Sequence, residues 1–153
     1  NITFGMAMNQ NGNALTTVDS LITDGYIDLV AIDAASANSV GLKADGTLVS
    51  NGLSVAGLSD ILAVDCTENG LFALKRDGTV EARFYNASDA IDVSGWKNIV
   101  AVSASATHVV GVTADGRVLA AGWNAKEQSE VGDWVLFTPA PTPSSSPEPT
   151  PEP

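Results

Sequence analysis

Proline is absent from residues 1–138 of this 153-residue chain, and Cys66 is its only cysteine. A single cysteine excludes an intrachain disulfide and a cysteine-rich metal site. No apolar run approaches the roughly 20 residues that a membrane-spanning helix needs. Basic side chains are few, with 7 Lys and Arg against 18 Asp and Glu and a formal net charge of −11. We therefore expect no nucleic-acid partner, which would need clustered cations, and no membrane insertion.

The seven prolines all lie in PAPTPSSSPEPTPEP, residues 139–153. Proline lacks a backbone donor, so this run predicts an extended linker rather than a strand or a helix. Pro/Thr/Ser/Glu spacers are common between modules of secreted and surface-anchored bacterial proteins. We therefore expect an extracellular or cell-surface bacterial location and a second module beyond the linker. A docking motif for a proline-recognising domain is the alternative.

A phrase built around Asn-Gly or Asp-Gly recurs along the proline-free part of the chain. Its copies are MAMNQNGNAL at 6–15, VGLKADGTLV at 40–49, FALKRDGTV at 72–80 and VVGVTADGRVLAAGWN at 109–124. The aligned glycines are 34, 32 and 38 residues apart, a period typical of repeat proteins. The predicted organisation is a repeat domain at 1–138, followed by the linker. Its units lie at about 1–20, 25–54, 57–86 and 95–124, and a further unit starts at 130–137.

Each full unit contains three short apolar segments that alternate or carry β-branched residues, and none has a helical period. The first strands are predicted at 29–35, 61–67 and 99–105, the second at 39–43, 71–75 and 109–113, and the third at 47–50, 79–82 and 117–120. The Asp-Gly pairs between second and third strands predict type I′ hairpin turns. A unit of this size cannot bury both faces alone. We therefore predict an all-β, propeller-like array of about four antiparallel blades with three or four strands each.

The segment NIVAVSASATHVVGVTADGRVLAAGWN, residues 98–124, resembles the regulator of chromosome condensation repeat family, in its bacterial β-propeller type. His108 stands at the family's usual histidine position, whereas Asn38 and Gly70 replace it in the other units. The resemblance covers residues 25 to about 134, with a decayed copy at 3–20. It implies a β-propeller, usually of seven blades.

Four units leave the ring geometry open. The segment 134–137 could complete the N-terminal half unit, the chain could be part of a larger propeller, or two chains could form one ring. The resemblance also implies that the scaffold can serve as a protein-binding surface, since a bacterial relative inhibits β-lactamases through one face. Eukaryotic members act on a small GTPase, but we do not expect that activity here, because this chain is acidic and lacks a basic arm.

Few side chains suggest chemistry. His108 is the only histidine, so a structural role is expected. Asp33 and Asp65 occupy equivalent places in the first strands, with Ser103 third. They could bind a hard cation, form an acid/base pair, or serve as hydrogen-bonding residues. Cys66 aligns with alanines and is expected to be a small buried side chain.

The position after the third strand varies between units, with Asp19, Leu53, Tyr85 and Trp123. Loops on a rigid scaffold often carry binding residues, and exposed aromatics dominate protein hot spots and sugar-stacking sites. Tyr85, Trp123 and Trp134 are therefore the predicted ligand-contact residues. The alternative is that Trp123 and Trp134 pack between blades.

These patterns together favour a non-catalytic protein-binding or adhesion module that needs no cofactor and no metal. The expected partner is a protein, or a second copy held through blade edges. A carbohydrate-binding module tethered to an extracellular enzyme is the alternative.

Overall fold

The computed structural model describes residues 6–16, 26–36, 38–125, 127 and 129–137. The strands in these residues are β1 (Met6–Met8), β2 (Ala14–Thr16), β3 (Leu29–Ala35), β4 (Asn38–Lys43), β5 (Leu48–Asn51), β6 (Ile61–Cys66), β7 (Gly70–Lys75), β8 (Val80–Phe84), β9 (Ile99–Ala104), β10 (His108–Thr113) and β11 (Val118–Gly122). One turn of 3-10 helix, Ala87–Asp89, connects β8 to β9. The predicted linker at 139–153 lies outside the described residues, as do residues 1–5 and 17–20 of the first predicted unit.

The strands form a row of small antiparallel sheets. A β1–β2 hairpin is followed by sheet A (β3-β4-β5), sheet B (β6-β7-β8) and sheet C (β9-β10-β11), each with its second strand in the middle. The all-β, propeller-like array of about four blades is thus confirmed, and the three full sheets have three strands each. No helix in the described ranges has the length and apolar character needed to cross a membrane.

The hairpin turns differ from the predicted type I′. In sheet A, the Lys43 amide donates to the Thr47 carbonyl at 2.9 Å and the Gly46 amide donates to the Lys43 carbonyl at 3.0 Å. The loop therefore has three residues, and only Gly46 has a positive φ, of 81°. This is a type I turn closed by a glycine bulge. Asp45 keeps a negative φ because its carboxylate accepts the Thr47 amide at 2.9 Å and so caps the turn.

Each turn glycine also joins its unit to the next one. The Ile61 amide donates to the Gly46 carbonyl at 3.0 Å, and the Ile99 amide donates to the Gly78 carbonyl at 2.9 Å. A Cβ at Gly46 would lie 3.1 Å from the Ile61 nitrogen, so the approach leaves little room for a side chain. Glycine is therefore favoured here both by the positive φ and by the close approach of the next sheet.

The core lies between sheets rather than within one sheet. Along β7, Leu71 and Ala73 pack with the buried residues of sheet A, whereas Phe72 and Leu74 pack with those of sheet C. This alternation follows from the two-residue period of a strand. Sheet B is consequently buried on both faces, as expected for a blade within a radial stack.

Residues 134–137 are bonded to sheet C at the β10–β11 turn. The Trp134 amide donates to Val131 at 2.9 Å, as the Trp96 amide does to Val93 at 3.0 Å. The Leu136 amide then donates to the Gly116 carbonyl at 2.8 Å, which repeats the turn contact of the earlier units. The segment is therefore held by sheet C through these bonds. The predicted unit boundaries and ring geometry stay predictions.

We predict that Phe72→Ala lowers the free energy of unfolding by about 3–5 kcal/mol, because Phe72 is fully buried between sheets B and C. Urea unfolding followed by circular dichroism measures the change. Leu62→Ala, at a side chain that is 47% exposed, is the matched control and should change the value by less than about 0.5 kcal/mol. Equal effects of the two substitutions would contradict the two-sided burial of β7.

Candidate binding face

The two first-strand aspartates connect neighbouring sheets. Asp33 Oδ2 accepts the Cys66 amide of sheet B at 2.5 Å, and Asp65 Oδ2 accepts the Ala104 amide of sheet C at 2.8 Å. Ser103, at the third equivalent position, is exposed. The described part of the chain contains no group of three or more His, Cys, Asp or Glu side chains placed to hold a metal ion. Of the three roles considered, the structure shows the hydrogen-bonding one.

The protonation of Asp65 reflects its partial burial. Loss of solvent raises the pKa of Asp65, and the nearby Asp33 carboxyl raises it further, against the lowering effect of the Ala104 amide. The carboxyl group therefore stabilises the contact between sheets by accepting a hydrogen bond, whereas its negative charge opposes folding. The free energy of unfolding should consequently depend on pH.

Cys66 is a buried free thiol, as its alignment with alanine predicts. Burial raises the pKa of the Cys66 thiol to about 12, with a further contribution from the Asp33 charge. The side chain is thus a neutral thiol near pH 7, and thiols react as nucleophiles only in the thiolate form.

His108 closes the loop between β9 and β10. Its Nδ1 lies 2.8 Å from Ser105 Oγ, which also accepts the His108 amide at 3.3 Å. Sheet B builds the same loop from Thr67, whose hydroxyl accepts the Gly70 amide at 3.0 Å. The histidine therefore takes part in a local loop structure that other residues also produce.

One end of the array, which we call the loop face, contains the β3–β4, β6–β7 and β9–β10 loops and the residues that follow β5, β8 and β11. Two predicted contact residues lie there in equivalent places. The Tyr85 amide donates to Asn69 at 3.1 Å, and the Trp123 amide donates to Thr107 at 2.8 Å. Their side chains are 49% and 55% exposed, whereas Leu53 in sheet A is buried in the core. Asp19 lies outside the described residues.

Tyr85 has a structural contact that the repeat pattern did not predict. Its hydroxyl donates to Oδ1 of the buried Asn38, and Asn38 Nδ2 donates to the Thr67 carbonyl at 2.9 Å. Gly52 leaves room for the tyrosine, because a Cβ there would collide with the hydroxyl oxygen. Burial also raises the pKa of Tyr85. Tyr85 therefore connects sheet B to sheet A. In the sequence, this contact was indicated only by Asn38, which stands where the repeat has its histidine.

Trp123 belongs to a groove of about 760 Å³ between sheets B and C. Three stretches of chain line the groove with Asn69: residues 88–92, 106–107 and 121–123. Asp89, Ile91 and Asp92 are among the lining residues, so the lining is both acidic and apolar. The Asp92 carboxylate accepts the Ser94 amide at 2.9 Å and the Ser94 hydroxyl at 2.7 Å, and these bonds lower its pKa. The groove thus combines an exposed indole with anionic oxygens.

Trp134, the third predicted residue, lies at the opposite end of β11. Its carbonyl accepts the Val118 amide at 3.2 Å where β11 starts, whereas Trp123 follows the end of that strand. A strand of this length separates the two ends by roughly 15 Å. Trp134 is 58% exposed and lies away from the loop face that carries Tyr85 and Trp123. Of those two residues, Trp123 lines the groove and Tyr85 does not.

Comparison with known families identifies the repeat. Residues 99–128 match the family "Regulator of chromosome condensation (RCC1) repeat". The matched segment is similar to one RCC1 repeat. It comprises sheet C, including the His108 loop and Trp123 on the loop face. No curated protein sequence matches the chain significantly.

Solved structures share the fold of this array. The CRINKLY WD40 ectodomain of the Arabidopsis thaliana receptor kinase ACR4 aligns with a TM-score of 0.62 and 16% identity, over 78% of this chain and 47% of that one. Yeast RCC1 (Prp20), solved with Kap60, gives 0.61 and 15% over 91% and 46%. Human WBSCR16 gives 0.59 and 12% over 78% and 45%. The chain thus spans less than half the length of these propellers.

We predict that two substitutions of Asp65 separate the effect of its hydrogen bond from that of its charge. Asp65→Ala removes both the charge and the acceptor for the Ala104 amide, so its free energy of unfolding should be roughly 1 kcal/mol below that of Asp65→Asn at each pH. Asp65→Asn keeps an acceptor and removes the charge. Because the pKa of Asp65 is raised on folding, its stabilising contribution is complete below the unfolded value of 3.8 and is lost as the pH rises through the folded value.

Relative to the wild type, Asp65→Asn should therefore be more stable at about pH 7 than at about pH 4. Urea unfolding of both variants and the wild type at the two pH values measures this difference. A constant difference between Asn variant and wild type would show that the Asp65 pKa is not raised by folding.

Proposed function

We propose that the array is a non-catalytic protein-binding module whose partner docks on the loop face, in the groove beside Trp123. The observation that carries this proposal is the exposed indole at the edge of a groove formed by two packed sheets. Exposed tryptophans on rigid elements are frequent hot spots of protein interfaces.

The hydrogen bonds of the loop face support a preformed surface. The backbone before Trp123 is bound to the β9–β10 loop, and Tyr85 is bound through Asn38 to sheet A. Such a surface binds with a small loss of conformational entropy. Propellers of this fold also occur in interaction settings, since one forms a receptor-kinase ectodomain and yeast RCC1 is bound to Kap60.

A carbohydrate-binding module remains the second candidate. The groove is lined by an indole that could stack on a sugar ring and by acidic residues that could accept hydrogen bonds from its hydroxyls.

The extracellular or cell-surface bacterial location is likewise proposed from the Pro/Thr/Ser/Glu composition of residues 139–153. Protease treatment of intact cells of the source organism tests it, because only a surface protein would be degraded. Self-association through blade edges is a further form of protein binding.

The test compares two exposed tryptophans in the full chain. Peptides selected from a phage-displayed random library on the wild type should bind Trp123→Ala at least about 30-fold more weakly, the effect expected of a hot spot. Trp134→Ala, at a similarly exposed indole remote from the groove, should change the affinity by less than about twofold. Isothermal titration calorimetry with synthetic copies of the peptides gives both values.

Unfolding midpoints of the two variants establish that each is folded. Peptides that bind Trp123→Ala as well as the wild type would exclude the groove as the docking site. A glycan array on which oligosaccharides bind through Trp123, with no peptide enriched, would replace the proposal with the carbohydrate-binding candidate.

A further inference from the structure

The groove on the loop face has a charge that selects its occupant. Asp89 and Asp92 line it, and none of its described lining residues is Lys, Arg or His. The chain itself carries a formal net charge of −11. An acidic partner segment would therefore be repelled, and a cationic one attracted.

The carboxylate oxygens retain capacity to accept hydrogen bonds from a ligand. Both bonds from Ser94 to Asp92 end on Oδ1, which leaves Oδ2 to accept from a ligand. Asp89 accepts from Asn86 Nδ2 at 3.2 Å and from Ser88 Oγ at 3.4 Å. Asp92 is exposed and Asp89 is half-buried, and both residues line the groove, so a ligand there can contact them.

Trp123 adds a second feature that fits a cation. The face of an indole is the most favourable aromatic surface for a guanidinium or ammonium group. Arginine offers five donors and no acceptor, and its planar group both pairs with carboxylates and stacks on aromatic rings. A neutral sugar has no charge with which to match the carboxylates. The volume of about 760 Å³ accommodates an arginine with its flanking peptide backbone.

We infer that the groove binds a basic segment of a partner protein, with an arginine side chain against Trp123 and between the carboxylates of Asp89 and Asp92. The inference rests on the proposed protein-binding function and specifies the chemistry of the partner. Lysine would be accepted less well, since it lacks the planar group that stacks on the indole.

The experiment is a titration of the ¹⁵N-labelled full chain with the pentapeptide Ac-Gly-Ser-Arg-Ser-Gly-NH₂ and with the same peptide carrying citrulline in place of arginine. Citrulline has nearly the same shape and no charge. We expect the arginine peptide to bind about tenfold more tightly, as a cation–π contact with carboxylate pairing provides. The amide signals that shift should be those of residues 88–92 and 121–123.

Two double variants separate local from overall charge. Asp89→Asn with Asp92→Asn should abolish the preference for arginine. Asp28→Asn with Asp60→Asn changes the net charge equally and should leave the preference intact. The latter pair precedes β3 and β6 at the other end of the array, and both residues have a positive φ, of 58°, which asparagine also adopts readily.

Equal affinity for the arginine and citrulline peptides, or equal losses in both double variants, would overturn the inference. The protein-binding function is judged separately by the Trp123-dependent library peptides. If those peptides bind through Trp123 but show no enrichment of arginine, the function stands and the basic partner is excluded. If no library peptide is enriched, the function fails as well.

Discussion

The middle strand β7 is buried on both faces, and each face completes its cover with a different neighbouring sheet. Leu71 and Ala73 need sheet A, and Phe72 and Leu74 need sheet C. A single repeat unit leaves these apolar faces uncovered, so each blade depends on its neighbours. The other contacts between blades, from the turn glycines to the first-strand aspartates, are consistent with this arrangement because they hold the sheets at a fixed separation and register.

The candidate site is a product of the same packing. The groove exists where sheets B and C diverge at the loop face, and the chain after β8 forms part of its lining before it returns as β9. Trp123 is held by the β9–β10 loop, and that loop is in turn held by the Ser105 and His108 bonds. In sheet C the repeat framework thus positions an exposed side chain, Trp123, whereas the equivalent Leu53 and Tyr85 take part in packing and hydrogen bonding of sheets A and B.

The sequence predicted the positions of the strands but not the contacts between the sheets. The recurring Asp-Gly phrase and the two-residue period located all nine strands of sheets A–C to within two residues. The predicted turn type was wrong because Asp-Gly occurs in both two-residue and three-residue loops. The hydrogen bond from the Thr47 amide to Asp45 is a feature of the folded loop, so the sequence did not reveal it. Tyr85 and Trp123 were predicted from their shared position after the third strand, and Trp134 was grouped with them as an aromatic residue expected to be exposed. Trp134 lies apart from the other two because it is bonded to the start of β11, whereas Tyr85 and Trp123 follow the ends of β8 and β11. The hydrogen bond from Tyr85 to Asn38 joins two units, so the pattern within one unit does not predict it.

The links from Asp33 and Asp65 all run in one direction along the chain, because each carboxylate accepts an amide from the following sheet. The array therefore has a polarity, since sheet B offers a donor to sheet A and an acceptor to sheet C. A second copy of sheet B inserted in chain order would find a matching donor and a matching acceptor at both new junctions. The same blade inserted in reverse would place like groups against each other. Growth by tandem duplication is consequently compatible with this geometry, and inversion of a blade is not.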